Sequence, residues 1–418
     1  MPEPDRALSE PRGWARHAPA LRHRNFRRYF AGQAVSVLGS WIQTVAMSWV
    51  VYRLTGSAAL LGLTAFLSQA PQLLISPLAG VWIDRHDRRR MLLAVQGLNM
   101  VQALALAGLA FAGALQPWHL VALAAVQGVL NSFDTPLRQS LLANLVADRR
   151  DLQSAVALNA SVFTAGRFVG PPVAGLLLGL TSEAICFALN ALSYLALVAA
   201  VLTMDLGDTR QHAARATSMA AALRAGFAFA WATPPIRTVL VSLAILNATA
   251  SSAIVLMPIF AKEIFLGDAS TLGWLLGAAG AGAVSATALL AGHRPLERIA
   301  RLVWMGWIIG GAGLAGLCLV QRMELALPMM FLLGAGIAMT NVSTNALLQS
   351  LTPDTLRGRV ISLFAALRFG MDAVGGLFAG LIAHRLGPVA TVMIEAVLLV
   401  AALIWLAPRL RALRRQVD

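Results

Sequence analysis

An all-α integral membrane protein, with twelve transmembrane helices in two pseudo-symmetric six-helix halves, follows from three observations: the apolarity of the chain, the number of its apolar stretches, and an internal repeat. Of 418 residues 58% are hydrophobic, 35 are glycine, and only 12% are charged, against about 25% charged in an average soluble protein. So few polar groups cannot cover a surface facing water. Soluble globular, fibrous and disordered classes are therefore excluded, and the solvent is a bilayer.

A helix needs about 20 predominantly apolar residues to cross the hydrocarbon. Twelve stretches qualify: 29–52, 58–83, 91–113, 118–144, 156–180, 182–204, 236–261, 270–292, 301–320, 325–350, 360–384 and 387–408, numbered here as spans 1 to 12. They divide the chain into an N-terminal arm (1–28), a first half (29–204), a linker (205–235), a second half (236–408) and a tail (409–418). Arginine and lysine mark cytoplasmic loops. Most of the 33 fall in the arm, the even-to-odd connections, the linker and the tail, while Arg53, Lys262, Arg322 and Arg385 lie on the other side. Both termini are therefore expected in the cytoplasm, and the arm lacks the apolar core of a cleaved signal peptide.

The repeat is read directly. Arg167-Phe168-Val169-Gly170 with Gly175 resembles Arg368-Phe369-Gly370-Met371 with Gly376, and Asn131 with Gln139-Ser140-Leu141 matches Asn341 with Gln349-Ser350-Leu351. Two related six-helix halves place a binding site at their interface near the membrane midplane.

The net charge of +14 comes from short scattered clusters, without the interleaved aromatic and basic face of a nucleic-acid binder. Cys186 and Cys318 lie in different spans, and the histidines are dispersed, so neither a disulfide framework nor a metal site is expected. No phosphate-binding G-x-x-x-x-G-K loop is present, and no catalytic cluster falls within the spans. The expectation is no cofactor and no enzyme activity.

Polar groups within spans carry the functional signal, because hydrocarbon offers them no partner. Gln33, Ser36, Ser40 and Gln43 share a face of span 1; Gln127, Asn131, Asp134 and Arg138 share one of span 4. Asn247 on span 7 and Asn341 and Asn345 on span 10 repeat the theme. They line a substrate cavity or join helices to one another. Ionisable residues at membrane depth cost about 2.5 to 3.5 kcal/mol on insertion scales, so Asp134, Arg138, Arg167, Arg368, Asp372 and Glu395 are functional candidates. Spacing by four lets Asp134 pair with Arg138, and Asp372 with Arg368. A pair that closes and parts would bind and release a proton, whereas a permanent one would only fix packing. Glu395 has no charged partner nearby in sequence and is expected to reach a neighbouring polar group or headgroups.

Between spans 2 and 3, Gly80-Val81-Trp82-Ile83-Asp84-Arg85-His86-Asp87-Arg88-Arg89-Arg90 is similar to the G-x-x-x-D-R-x-G-R-R signature of the major facilitator superfamily, with Asp87 in place of the second glycine. In span 5, Gly166, Gly170, Pro171 and Gly175 resemble the G-x-x-x-G-P-x-x-G-G element of its antiporters. Pro136-Leu137-Arg138-Gln139 and Arg357-Gly358-Arg359-Val360 resemble the drug/proton-antiporter-like branch with macrolide-efflux proteins and the enterobactin exporter. The resemblance implies that Gly80, Asp84, Arg85, Arg88 and Arg89 form a cytoplasmic gate, although the acid expected at the inner end of span 4 is Asn144 here. A positive-inside anchor is the alternative for this loop. The span 5 glycines serve close helix packing, or, by the resemblance, antiport.

The expected function is a secondary active transporter of the bacterial inner membrane that exports an amphipathic small molecule, a drug or siderophore, by alternating access with proton antiport. Its partners would be that substrate, the proton and membrane lipid, with no nucleic acid, and the chain would act as a monomer. Trp41, Phe66, Phe163 and Phe168 suit an amphipathic ligand. The alternatives are uptake or flipping of a metabolite or lysolipid, and a transport-inactive sensor or assembly protein.

Overall fold

A computed structural model describes residues 18–83, 85–146, 148–204, 219–290 and 296–417. Among them twelve helices are long and apolar enough to cross a membrane: Arg24–Thr55, Ala58–Ser76, Arg88–Phe111, Pro117–Leu142, Leu152–Leu180, Glu183–Leu202, Pro234–Ile264, Ala269–Leu290, Arg298–Leu319, Met323–Leu351, Leu356–Leu386 and Pro388–Pro408. These are spans 1 to 12 in order. Several helices run past the apolar stretch that announces them. Span 1 runs from Arg24 to Thr55, and span 12 continues helically to Val417. The backbone of a helix satisfies itself, so nothing obliges it to end where the hydrocarbon does. Of the expected linker, residues 205–218 lie outside the described residues, and a helix Met219–Ala232 leads into span 7.

Local chemistry sets the span ends. Gly56 closes span 1 at φ 60°, a left-handed conformation that glycine adopts without steric cost. Asp87 caps span 3 by accepting from the backbone N–H groups of Arg89 (2.9 Å) and Arg90 (3.2 Å), satisfying donors that a helix start leaves open.

Within the first half, span 1 packs on spans 5 and 6, span 3 on spans 4 and 6, and span 2 on span 4; within the second, spans 8 and 9 pack on span 10, and span 9 on span 12. The halves join through spans 2 and 11 and spans 5 and 8. Both junctions need glycine. A Cβ built on Gly380 would lie 2.5 Å from Ala58 O, and one on Gly175 would lie 2.6 Å from Ala269 O. Backbone meets backbone at these two places, as small residues permit.

These junctions lie toward the membrane face where spans 2 and 8 begin, called here the far face. The opposite, terminal face holds the start of span 1 and the end of span 12. Going from the far face inward, the deepest glycine contacts between the halves are those of Gly280 with Arg167 and Phe168 and of Gly370 with Leu73. Among the described residues spans 4 and 10 are not extensively packed on each other. The glycine contacts between the halves thus lie toward the far face.

Span 7 departs from regular helix. Pro234–Leu246 is α-helical, Asn247–Ser251 forms a π turn, Ser252–Leu256 a 3-10 turn, Met257–Ile259 a short α segment, and Phe260–Ile264 a second π turn. Pro258 sits in this stretch and lacks a donor. Such interruptions commonly mark functional hinges.

Gly175→Ala and Gly380→Ala are each expected to destabilise far-face closure by about 1 to 3 kcal/mol, the usual cost of overpacking. Cysteine pairs placed across spans 5 and 8 should cross-link less efficiently in both variants than in the parent, and unchanged yields would contradict the tight junctions.

Candidate functional site

The charged candidates sort into two environments. Asp134 and Arg138 of span 4 form an ion pair at 2.7 Å inside the first half. Gln96 of span 3 donates to the other carboxylate oxygen, and the guanidinium reaches Gln96 Oε1 at 3.4 Å and Ser36 Oγ at 3.5 Å. Arg138 is 5% exposed. The pair thus ties span 4 to spans 1 and 3.

Arg167, Arg368 and Asp372 are brought together from opposite halves. Asp372 feels the charges of both arginines, and Ser251 in the first π turn of span 7 is within hydrogen-bonding reach of it. Arg368 and Asp372 do not close into an ion pair: Arg368 lies over the Phe369 ring at 5.1 Å, and Arg368 Nε and Asp372 Oδ1 lack hydrogen-bond partners. Each of the three is partly exposed. They lie at the depth of the deepest glycine contacts between the halves, where Arg167 meets Gly280. Phe168 and Phe369, both exposed, are their neighbours in the chain, and Phe163 lies about one turn before Arg167.

The polar stripe of span 1 is placed differently from an open cavity wall. Gln33 donates to Asn159 of span 5 at 2.7 Å. Gln43 donates to Gln102 of span 3 at 3.0 Å and accepts from Asn190 of span 6 at 2.7 Å. Gln33, Ser36 and Gln43 are all buried. Here the stripe binds spans 1, 3, 5 and 6 into one unit, because the span carries polar groups on a face that neighbours cover. Gln127 is buried and Asn131 half-buried on span 4. In the second half Asn247 reaches Asn341 at 3.3 Å, and Gln349 donates to Asn345 at 2.9 Å. Of the span 5 packing residues, Gly166 and Gly170 face Trp41 of span 1, while Gly175 and the carbonyl of Pro171 face Gly273 of span 8.

Asp84 lies outside the described residues. Its neighbours are tied within the first half: Arg88 is buried and reaches Ser140 O of span 4 at 3.4 Å, and Arg89 donates to Leu202 O at the end of span 6 at 2.9 Å. Arg85 is exposed and Gly80 half-buried. Helix C-terminal carbonyls attract cations, so these arginines fasten spans 3, 4 and 6 at the terminal face.

Nothing in the spacing of the sequence discloses the bond that joins the halves at the far face. Tyr52 at the end of span 1 donates its hydroxyl to Glu263 in the second π turn of span 7, and Lys262 lies 5.6 Å from the centroid of the Tyr52 ring. Glu263 reads in sequence as one charge in a short connection. Only the fold brings it to a tyrosine of the other half.

Twelve spans in two six-helix halves, with buried charge where the halves meet, define a multi-pass membrane transporter. Residues 15–417 match the family model described as transmembrane secretion effector, and the chain belongs to that family of major facilitator transporters. It is 23% identical over 370 residues to the Staphyloferrin A transporter of Staphylococcus aureus, covering 88% of this chain and 92% of the relative. It is 25% identical over 397 residues to the multidrug efflux pump Tap of Mycolicibacterium fortuitum, covering 90% and 93%. Among solved structures, a bacterial homologue of the human lysosomal transporter Spinster in an inward-facing, unoccupied conformation superposes with a TM-score of 0.72 at 13% identity, covering 93% of this chain and 97% of that one.

Removing the Tyr52 hydroxyl by Tyr52→Phe is expected to weaken far-face closure by about 1.5 to 3 kcal/mol, the range for a hydrogen bond to a charged group. A single cysteine introduced near the far end of span 1 should then react faster with a membrane-impermeant thiol reagent added on that face. An unchanged rate would show that the bond does not hold the far face shut.

Proposed function

We propose that this protein exports an amphipathic small molecule bearing an acidic group by alternating access, and that inward proton flow through Asp372 drives it. One observation carries the reading: Arg167 of the first half meets Arg368 and Asp372 of the second at the depth of the deepest glycine contacts between the halves, and from there a central space opens toward the terminal face in this reading. Two guanidiniums against one carboxylate leave a net positive site, suited to an anionic group, and the exposed phenylalanines around it suit an apolar body. The multidrug efflux pump Tap among its relatives supports export.

The chemistry follows from the position of the three charges. While both arginines face Asp372, the carboxylate is held ionised. Movement of one half past the other parts Arg167 from Asp372, and a carboxylate left in an apolar setting takes up a proton. An acidic substrate group is held where both arginines stand together and Asp372 is ionised, and parting of Arg167 loosens that grip as Asp372 takes up a proton, so substrate release accompanies protonation and return of the arginines accompanies deprotonation. Asp134, closed upon Arg138 and Gln96, is assigned to holding the first half together. Gly80, Asp84, Arg85, Arg88 and Arg89 form the gate at the terminal face, which on the charge distribution is the cytoplasmic side of the bacterial inner membrane.

In proteoliposomes with an imposed proton gradient, Asp372→Asn should abolish accumulation of substrate while retaining equilibrium binding to the purified protein. Accumulation against a gradient by this variant would remove Asp372 from the coupling role.

A further inference from the structure

Glu395 is the one described acid on span 12 at membrane depth, 6% exposed and packed among spans 7, 9 and 11. Its Oε1 lies 2.6 Å from Ser252 Oγ of span 7, and its Oε2 has no hydrogen-bond partner. The groups that face it are few. Span 7 presents Ser252, and span 9 presents Cys318 as the titratable group within electrostatic reach. Arg368 and Asp372 of span 11 face each other and Ser251 instead. No cation faces the carboxyl among the described residues.

The hydrogens around Ser252 can be counted. Its hydroxyl oxygen lies 2.6 Å from Thr249 O, 2.9 Å from Ala248 O and 2.6 Å from Glu395 Oε1. The two backbone carbonyls can only accept, and the hydroxyl has one hydrogen to give. When that hydrogen goes to a carbonyl, the contact between Oγ and Oε1 is a bond only if the carboxyl supplies its own hydrogen. An ionised carboxylate would instead set two bare oxygens against each other and leave its charge buried without a partner, which is costly. The first half offers a comparison. There its first and last spans are joined by the neutral amides Gln43 and Asn190; in the second half the same two positions in the bundle are joined by Ser252 and Glu395.

We propose that Glu395 is a second proton-binding site of this transporter, holding a proton that it donates to Ser252 in the state open to the terminal face and communicating with Asp372 through the adjacent serines of span 7. The link to Asp372 rests on the proton-coupled reading above; the proton on Glu395 stands on its own geometry. Ser251 and Ser252 are neighbours at the junction of a π turn and a 3-10 turn. Rearrangement of that junction changes the hydrogen-bond partners of both carboxyls at once. Release of the proton requires Ser252 to leave Oε1 and water to reach the carboxyl, with only the O–H bond broken.

Infrared spectroscopy of the purified full chain at neutral pH tests this directly. A carbonyl stretching band of a protonated carboxylic acid should be present, lost in Glu395→Gln, shifted in Ser252→Ala, and retained in its Glu395 component in Asp372→Asn. In proteoliposomes Glu395→Gln should lose substrate accumulation driven by a pH gradient while keeping substrate exchange at equal pH. A protonated-carboxyl band identical in the parent and Glu395→Gln overturns the proposal. Should that variant not reach the membrane, an unshifted band in Ser252→Ala overturns it equally. Loss of the band with undiminished gradient-driven accumulation overturns the link between the two carboxyls. Failure of the Asp372→Asn test alone strikes the coupling assignment and leaves the proton on Glu395 in place.

Discussion

Hydrocarbon cannot hydrogen-bond, and this constraint governs where every polar side chain in the twelve spans can go. Each must meet another polar group, a backbone carbonyl, or a water-accessible space. The first half adopts the first solution at several points. Gln43 is shared between Gln102 and Asn190, Gln33 reaches Asn159, and Asp134 is closed by Arg138 and Gln96. Breaking any one contact would leave a buried group without a partner, so the half moves as a unit. The second half has fewer such bonds and leaves Arg368 Nε, Asp372 Oδ1 and Glu395 Oε2 without partners.

Close approach of the halves sets the depth of the central space. Glycine at 62, 175, 273 and 380 lets spans 2 and 11 and spans 5 and 8 touch backbone to backbone near the far face. Toward the terminal face a larger residue takes over, with Leu73 against Gly370. The boundary between small and large side chains therefore marks the apex of the proposed central space. Arg167 and Arg368, matching residues of the repeat, stand at that boundary, because an arginine just beyond tight packing has both protein on one side and open space on the other.

Much of this was legible in the sequence. Apolar length located all twelve spans, because the bilayer imposes one length scale on every helix. The repeat pointed to the interface between halves, and the cost of burying charge selected Arg167, Arg368 and Asp372. Proximity across the halves was not legible. Spacing by four predicts a pair between Arg368 and Asp372, but Arg368 lies over its neighbour Phe369 instead, and the pull of Arg167 on Asp372 comes from span 5, far off in the chain. Tyr52 with Glu263 and Ser252 with Glu395 were hidden for the same reason. The irregular course of span 7 was hidden differently: its composition is that of any apolar span, and Pro258 alone hints at a break.

That irregular course gives the asymmetry between the halves a physical meaning. A regular helix commits each backbone carbonyl to a donor four residues on, and shifting one residue disturbs the whole ladder. Span 7 has already left that ladder between Asn247 and Leu256, so local rearrangement there costs less than in span 1, which is unbroken from Arg24 to Thr55. Its middle and its far-face end are also tied to different parts of the molecule: Ser251 and Ser252 to the carboxyls of spans 11 and 12, Glu263 to Tyr52 across the far-face junction. A change of charge at either carboxyl is thus one irregular helix away from the bond that closes the far face. The bundle of the first half, joined across its spans through Gln33, Gln43 and Asp134, is the body against which such a change could be expressed as opening or closure.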